Sequence, residues 1–178
     1  MNIKICVAGK ICSGKSTLAK KIATHIGYPL VSFGGILSGH LSRSDLPVMR
    51  NTLQSLGQEL INRLGYEGFL NWSIEHSPRV QWDNALIIDG LRHEAIYSRL
   101  IEIFPRTVLV YCGCDPKVQI TRLMGRDKVN QIEAERIISH ETEQYIIELE
   151  PRADLFFQSE NSTEDFLIQL DIVIAKMR

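Results

Sequence analysis

Short apolar runs recur along the chain at Ile3 to Ala8, Pro29 to Ser32, Ala85 to Asp89, Thr107 to Cys112 and Asp154 to Gln158. Their length and composition suit buried parallel strands. Between them the apolar positions change to helical spacing. Leu18, Ile22 and Ile26 make one stripe, Met49, Leu53, Leu56, Leu60 and Leu64 a longer one, and Phe166, Leu170, Val173 and Met177 close the chain. Strand and helix alternation of this kind predicts an α/β fold in three layers, a five-stranded parallel sheet flanked by helices. In such a sheet ligands bind at the carboxyl ends of the strands.

The first strand runs directly into Gly9-Lys10-Ile11-Cys12-Ser13-Gly14-Lys15-Ser16, which spells GxxxxGK[ST], and a helical stretch follows. Glycines at both ends of this loop allow the backbone to curl so that successive N–H groups face a polyphosphate. Lys15 is then placed for the β and γ phosphates, and the Ser16 hydroxyl for Mg²⁺. The helix starting near Lys15 adds the positive end of its dipole to the same anion. The motif therefore predicts ATP or GTP held by Gly9 and the amides of Ile11, Cys12, Ser13, Gly14, Lys15, Ser16 and Thr17. Asp89 ends the run Ala-Leu-Ile-Ile-Asp at the same edge of the sheet, where a carboxylate can hold a water on Mg²⁺ beside Ser16. By itself an aspartate after a strand also suits a turn or a helix cap.

Length fits one domain over residues 1–178 with a sizeable core. Two stretches, about 34 to 80 and about 115 to 150, exceed what a plain crossover needs. In a phosphate-moving enzyme they are candidates for an acceptor-binding insertion and a short closing lid. With 20 basic against 21 acidic residues the formal charge is −1, so no global field favours nucleic acid. No apolar run reaches the length of a membrane helix, and the opening residues are already used as a strand. Cys6, Cys12, Cys112 and Cys114 match no metal or redox spacing, and reduced thiols in a cytoplasmic enzyme are the simplest account. The five histidines, His25, His40, His76, His93 and His140, also match no metal site. Of these, His40 and His93 fall near the expected acceptor region, and His93 suits a helix start as well as a ligand contact.

Leu-Ile-Ile-Asp-Gly-Leu-Arg, ending at Arg92, resembles the LLDGFPR segment of adenylate kinases in the nucleoside monophosphate kinase group. Val31-Ser32-Phe33-Gly34-Gly35-Ile36-Leu37-Ser38 is similar to their ISTGDxLR segment, and Cys114 to Arg126 to the segment entering their lid. The likeness runs discontinuously from residue 3 to about 126. It implies the P-loop NTPase fold, ATP as donor with Mg²⁺, and a nucleoside monophosphate as acceptor. It also implies that Arg92, with Gly90, Ser32 and Gly34 nearby, holds the acceptor phosphate, that Arg122 lies against the adenine, and that Arg126 contacts the phosphates, with Arg136 a looser counterpart of further lid arginines.

Arg50-Asn-Thr-Leu-Gln54-Ser-Leu-Gly57-Gln-Glu59 looks like the RxxLQxxGxE segment of deoxynucleoside monophosphate kinases, with Trp72 further on. On a helix Arg50, Gln54 and Gly57 share a stripe beside the apolar one, which pattern alone reads as a solvated face; the resemblance makes it an acceptor-binding face. Ser38 and Gly35 stand where the adenylate kinase pattern has arginine and aspartate. The acceptor phosphate then depends on Arg50 and Arg92, or on Arg43. Two alternatives stay open: a kinase of another small metabolite such as dephospho-coenzyme A, and a nucleotide-dependent switch. The strand near Val31 lacks the terminal acidic residue of the coenzyme A kinases, and no NKxD guanine-reading motif is found. The expected partner is a small-molecule acceptor rather than nucleic acid or membrane, with the chain a monomer or homodimer.

Overall fold

The computed structural model describes residues 2–44, 48–77, 80–139 and 145–177, without the side chains of Arg50 and Asn51. The apolar runs form strands β1 Lys4–Ala8, β2 Leu30–Ser32, β3 Leu86–Leu91, β4 Thr107–Gly113 and β5 Leu155–Gln158. Every pairing is parallel and the order is β2-β3-β1-β4-β5. The helices are α1 Lys15–Ile26, α2 Phe33–Arg43, α3 Arg50–Glu75, α4 Glu94–Ile103, α5 Pro116–Asp127, α6 Gln131–Ile138 and α7 Thr163–Lys176. A 3₁₀ helix, Tyr145–Arg152, precedes β5.

The strands read as continuous apolar runs because both faces of the sheet are covered. Alternate residues divide between two cores. Cys6 and Ala8 of β1, Leu86 and Ile88 of β3, and Leu109 and Tyr111 of β4 pack under α2, α3, α4 and the 3₁₀ helix. Ile5 and Val7, Ile87, and Val108, Val110 and Cys112 pack under α1 and α7. The closing stripe supplies Phe166 and Leu170 to the second core, and Leu18 and Ile22 do the same from α1. After β1 the chain builds one side of the sheet with β2 and β3, then crosses to β4. The crevice at the carboxyl end of β1 is thus the switch point where α/β sheets bind ligands.

The predicted long stripe holds only in part. Leu60 is buried and Leu53 and Leu56 are half-buried against the core, but Met49 is 58% exposed and Leu64 39%. Met49 is the extended N-cap residue of α3, ahead of its helical turns, and Leu64 stands just before Gly65, whose φ of 70° and ψ of 175° interrupt the helix. Past this kink the helix takes a new direction and places Phe69 and Leu70 in the core instead.

β3 ends in a bulge. Val7 pairs with Asp89 and Ala8 with Leu91, so Gly90 is the extra residue, with φ +85°. A bulge of this kind re-aims the residues around it. Here it ends the regular ladder between Asp89 and Arg92, at the mouth of the sheet.

Candidate active site

The loop between β1 and α1 takes three left-handed residues, Gly9 at φ +146°, Cys12 at +57° and Gly14 at +90°. Gly9 has a steric reason as well: a Cβ there would lie 2.4 Å from the Cys112 carbonyl oxygen and 2.8 Å from Ser13 Oγ. Because the first contact is with strand backbone, nothing can give way cheaply. Gly9→Ala is expected to cost about 1–3 kcal/mol as an overpacking defect, and thermal unfolding should fall by about 2–4 °C per kcal/mol. A variant with an unchanged melting temperature would show that the loop tolerates a Cβ.

Side chains from β4 and α5 take up the outward carbonyls of this loop. Gln119 Nε2 donates to Ile11 O at 2.6 Å, Cys112 Sγ to Ser13 O at 3.1 Å, and Arg122 Nη1 weakly to Cys12 O at 3.5 Å. Burial pushes the Cys112 thiol up to about 11, outweighing its bond to Ser13 and the charge of Lys15, so it keeps the proton it donates. In a trans peptide the N–H points opposite to its C=O, so carbonyls drawn outward leave amides facing in. No side chain caps the N-terminus of α1 and its first turn holds no acidic residue. The first turn of α1 therefore brings no carboxylate of its own to compete for that positive helix end. Lys15 Nζ donates to Lys10 O at 3.0 Å, folded over its own loop.

Three buried side-chain polar atoms among the described residues have no hydrogen-bond partner, and two lie here: Ser13 Oγ and Asp89 Oδ1. Leaving a buried polar atom unpaired is costly, and such atoms point to a role. Asp89 is 7% exposed, and it lines one cavity together with Ser16. A hydroxyl and an unengaged carboxylate oxygen are the hard donors Mg²⁺ takes, alongside substrate phosphates and water. Among the described residues no group of three or more His, Cys, Asp or Glu side chains could hold a metal unaided.

Two cavities meet at the loop. The larger, about 580 Å³, lies under α2 and α3 and is lined by Ser32, Gly34, Gln54, Gly57, Asp89, Gly90 and Arg92 among others. Its walls carry Phe33, Leu37, Leu53, Ile61 and Phe69, so it is apolar on one side and charged at the sheet edge. The smaller, about 390 Å³, runs over Cys12, Gly14, Thr17 and Lys21 toward Arg122, Phe157 and Ser159. Lys15, Ser16 and Arg126 line both.

Other predicted residues take varied places. Ser32 accepts from Gly35 N at 2.9 Å and so caps α2, with its hydroxyl hydrogen left to donate. A Cβ on Gly57 would make ordinary contact, 3.5 Å from Leu37 Cδ1, so packing alone does not demand glycine there. Arg122 donates to Ser159 Oγ at 2.9 Å at the mouth of the smaller cavity. Arg126 is bound through Nε and Nη2 to Asp127, at 2.6 and 3.0 Å. Arg136 lines neither cavity: it is 83% exposed on α6 and 3.8 Å from Glu133. Arg43 faces a separate hollow beside β2, with His76 and Val80, rather than the acceptor cavity. Trp72 also stays outside, stacked on His76 at 4.2 Å. The side chain of Arg50 and all of His140 lie outside the described residues.

His93 is the N-cap residue of α4, without a side-chain cap, and lines the larger cavity between the rings of Tyr66 and Tyr145. Burial lowers its pKa, and Arg92 lowers it further, so it sits there as a neutral ring near pH 7. Gln119, Asp127, Phe33 and Phe69 were not legible as site residues. Gln119 had one signal, a polar residue on the α5 face that also carries Leu123.

A family model described as AAA domain matches residues 9–139. Over 163 residues the chain is 25% identical to a dephospho-CoA kinase domain-containing protein from Danio rerio, covering 75% of this chain and 68% of that one. Among solved structures, a putative kinase from Chloroflexus aurantiacus superposes with a TM-score of 0.66 at 16% identity, covering 99% of this chain and 97% of the other. Shikimate kinase from Bacteroides thetaiotaomicron gives 0.57 at 19% identity, with 97% and 98% covered. At such identities the likeness is one of fold.

Proposed function

From the premise that this chain belongs to the AAA domain family and has the P-loop kinase fold, we propose that it transfers the terminal phosphoryl group of ATP to a small-molecule acceptor, with Mg²⁺. The observation that carries the reading is the shared wall: Lys15, Ser16 and Arg126 line both cavities. Donor and acceptor then meet at one hydroxyl and two cations. Phosphoryl transfer asks mainly for in-line positioning and neutralised charge, and this arrangement suits that need.

In this reading the loop amides and Lys15 hold the donor phosphates, and Arg122 lies along the base beside Ser159. Ser16 and Asp89 would hold Mg²⁺, which supplies charge neutralisation on the phosphates when bound. Arg126 reaches the group in transit. Arg92, at the charged end of the larger cavity, binds the acceptor's anionic group. The finer assignment is a nucleoside or deoxynucleoside monophosphate. The apolar wall of Phe33, Leu53 and Phe69 suits a base, and the amide of Gln54 can read its edge.

A panel of ribo- and deoxynucleoside monophosphates tests this through coupled ADP release. One or more should stimulate turnover, and silence across the panel would reject the finer assignment. With the active acceptor, Arg92→Ala is expected to raise its KM roughly 10- to 100-fold, the worth of charge-assisted hydrogen bonds. An unchanged KM would remove Arg92 from the acceptor site.

A second reading, transfer to the hydroxyl of dephospho-coenzyme A or a related metabolite, is favoured by the Danio rerio relative. A hydroxyl acceptor must lose its proton. The described carboxylates lining the larger cavity are Asp89 and Asp127. Thermal shift against a metabolite panel separates the two readings, since a ligand stabilises by its ratio of concentration to Kd.

A further inference from the structure

Helix α5 buries two residues, Gln119 and Leu123. Gln119 is 2% exposed, and its amide reaches across the fold to Ile11 O at 2.6 Å. The Ile11 side chain, also 2% exposed, packs with Leu123 and with Ala134 of α6. This cluster is separate from both sheet cores. Phosphate loop and lid helices therefore share a small core of their own, with one buried hydrogen bond at its centre. Arg122 and Arg126 follow Gln119 by three and seven residues, on the same side of the helix.

Turning the Ile11 carbonyl toward α5 turns the Cys12 amide the other way, toward the anion site. One bond thus fixes an anion-facing amide and the height at which the lid arginines stand. In a buried setting such a bond is strong, and its loss removes a donor from a buried carbonyl. We infer that Gln119 is a positioning residue that couples the curl of the phosphate loop to the placement of Arg122 and Arg126, so that loop and lid move as one body. The inference rests on the phosphoryl-transfer reading above. Gln119 touches no substrate, because it lines neither cavity.

Gln119→Met keeps the length of the side chain and removes the donor. In the unliganded protein, amide hydrogen exchange should rise together in residues 9–17 and 116–127. Affinity for Mg·ATP should fall about tenfold, in keeping with one lost buried hydrogen bond. In this background Arg126→Ala should lower kcat by a smaller factor than it does in the parent protein, the mark of two residues acting through one path. A residue that merely fills space would leave exchange unaltered and the two substitutions additive, and that outcome overturns the inference. Gln119→Asn, one methylene too short to reach Ile11, keeps a polar side chain and carries the same expectations if the methionine variant does not fold. Exchange is read without nucleotide, so the two claims fail separately. A parent protein that binds no ATP while the variant loosens both segments refutes the kinase reading alone; ATP binding with unaltered exchange refutes the coupling alone.

Discussion

Lys15→Ala should lower kcat/KM for ATP by about a thousandfold, the scale on which a single preorganised charge at a phosphoryl centre acts. The Lys15 ammonium donates to Lys10 O within the loop itself. Melting temperature should stay within about 2 °C of the parent. Lys15→Arg should not rescue the loss, since a planar fork cannot occupy the place of a compact ammonium between two cavities. Steady-state kinetics with the active acceptor, beside a thermal melt, checks both statements. Loss of activity together with collapse of the melt would mean that the lysine holds the loop rather than the phosphates.

Asp89→Asn is the second large effect, and its sign differs between bound and free protein. Asp89 Oδ1 is buried without a donor, so the unliganded chain bears a cost there. An amide removes a buried carboxylate, and the free variant should melt at the same temperature or higher, as at other sites where function is kept at the expense of stability. Metal dependence should move the other way. The magnesium concentration for half-maximal activity should rise about tenfold or more and kcat fall about a hundredfold. Melts without nucleotide and a magnesium titration of the rate read the two halves. A variant that melts lower and keeps its magnesium requirement would assign Asp89 to structure.

Much of this was legible because the chemistry is local in sequence. The phosphate loop is one uninterrupted segment, and its context of strand and helix is set by adjacent residues. The strands were equally open to reading, since burial on both faces turns the central ones, β1, β3 and β4, into largely apolar runs. What stayed hidden depends on distant contacts. The helical stripe was read as far as Leu64, and only the kink at Gly65 and the packing beyond it show why Leu64 surfaces while Phe69 goes inward. Gln119 and Ile11 are 108 residues apart, and no local pattern announces a bond between a side-chain amide and a loop carbonyl. Arg136, expected only as a looser counterpart of further lid arginines, stands on the surface of α6 beside Glu133, the left-handed Lys128 after α5 starting α6 in a new direction. Arg43, the alternative to Arg50 and Arg92, lines the hollow beside β2.

Isothermal titration of ATP into the purified chain, with and without Mg²⁺, probes the central claim most directly. The account predicts saturable binding at one site per chain that weakens sharply when Mg²⁺ is chelated and disappears in Lys15→Ala. Absence of any heat from ATP or GTP with folded protein and Mg²⁺ present, or binding of equal strength in Lys15→Ala, would contradict it.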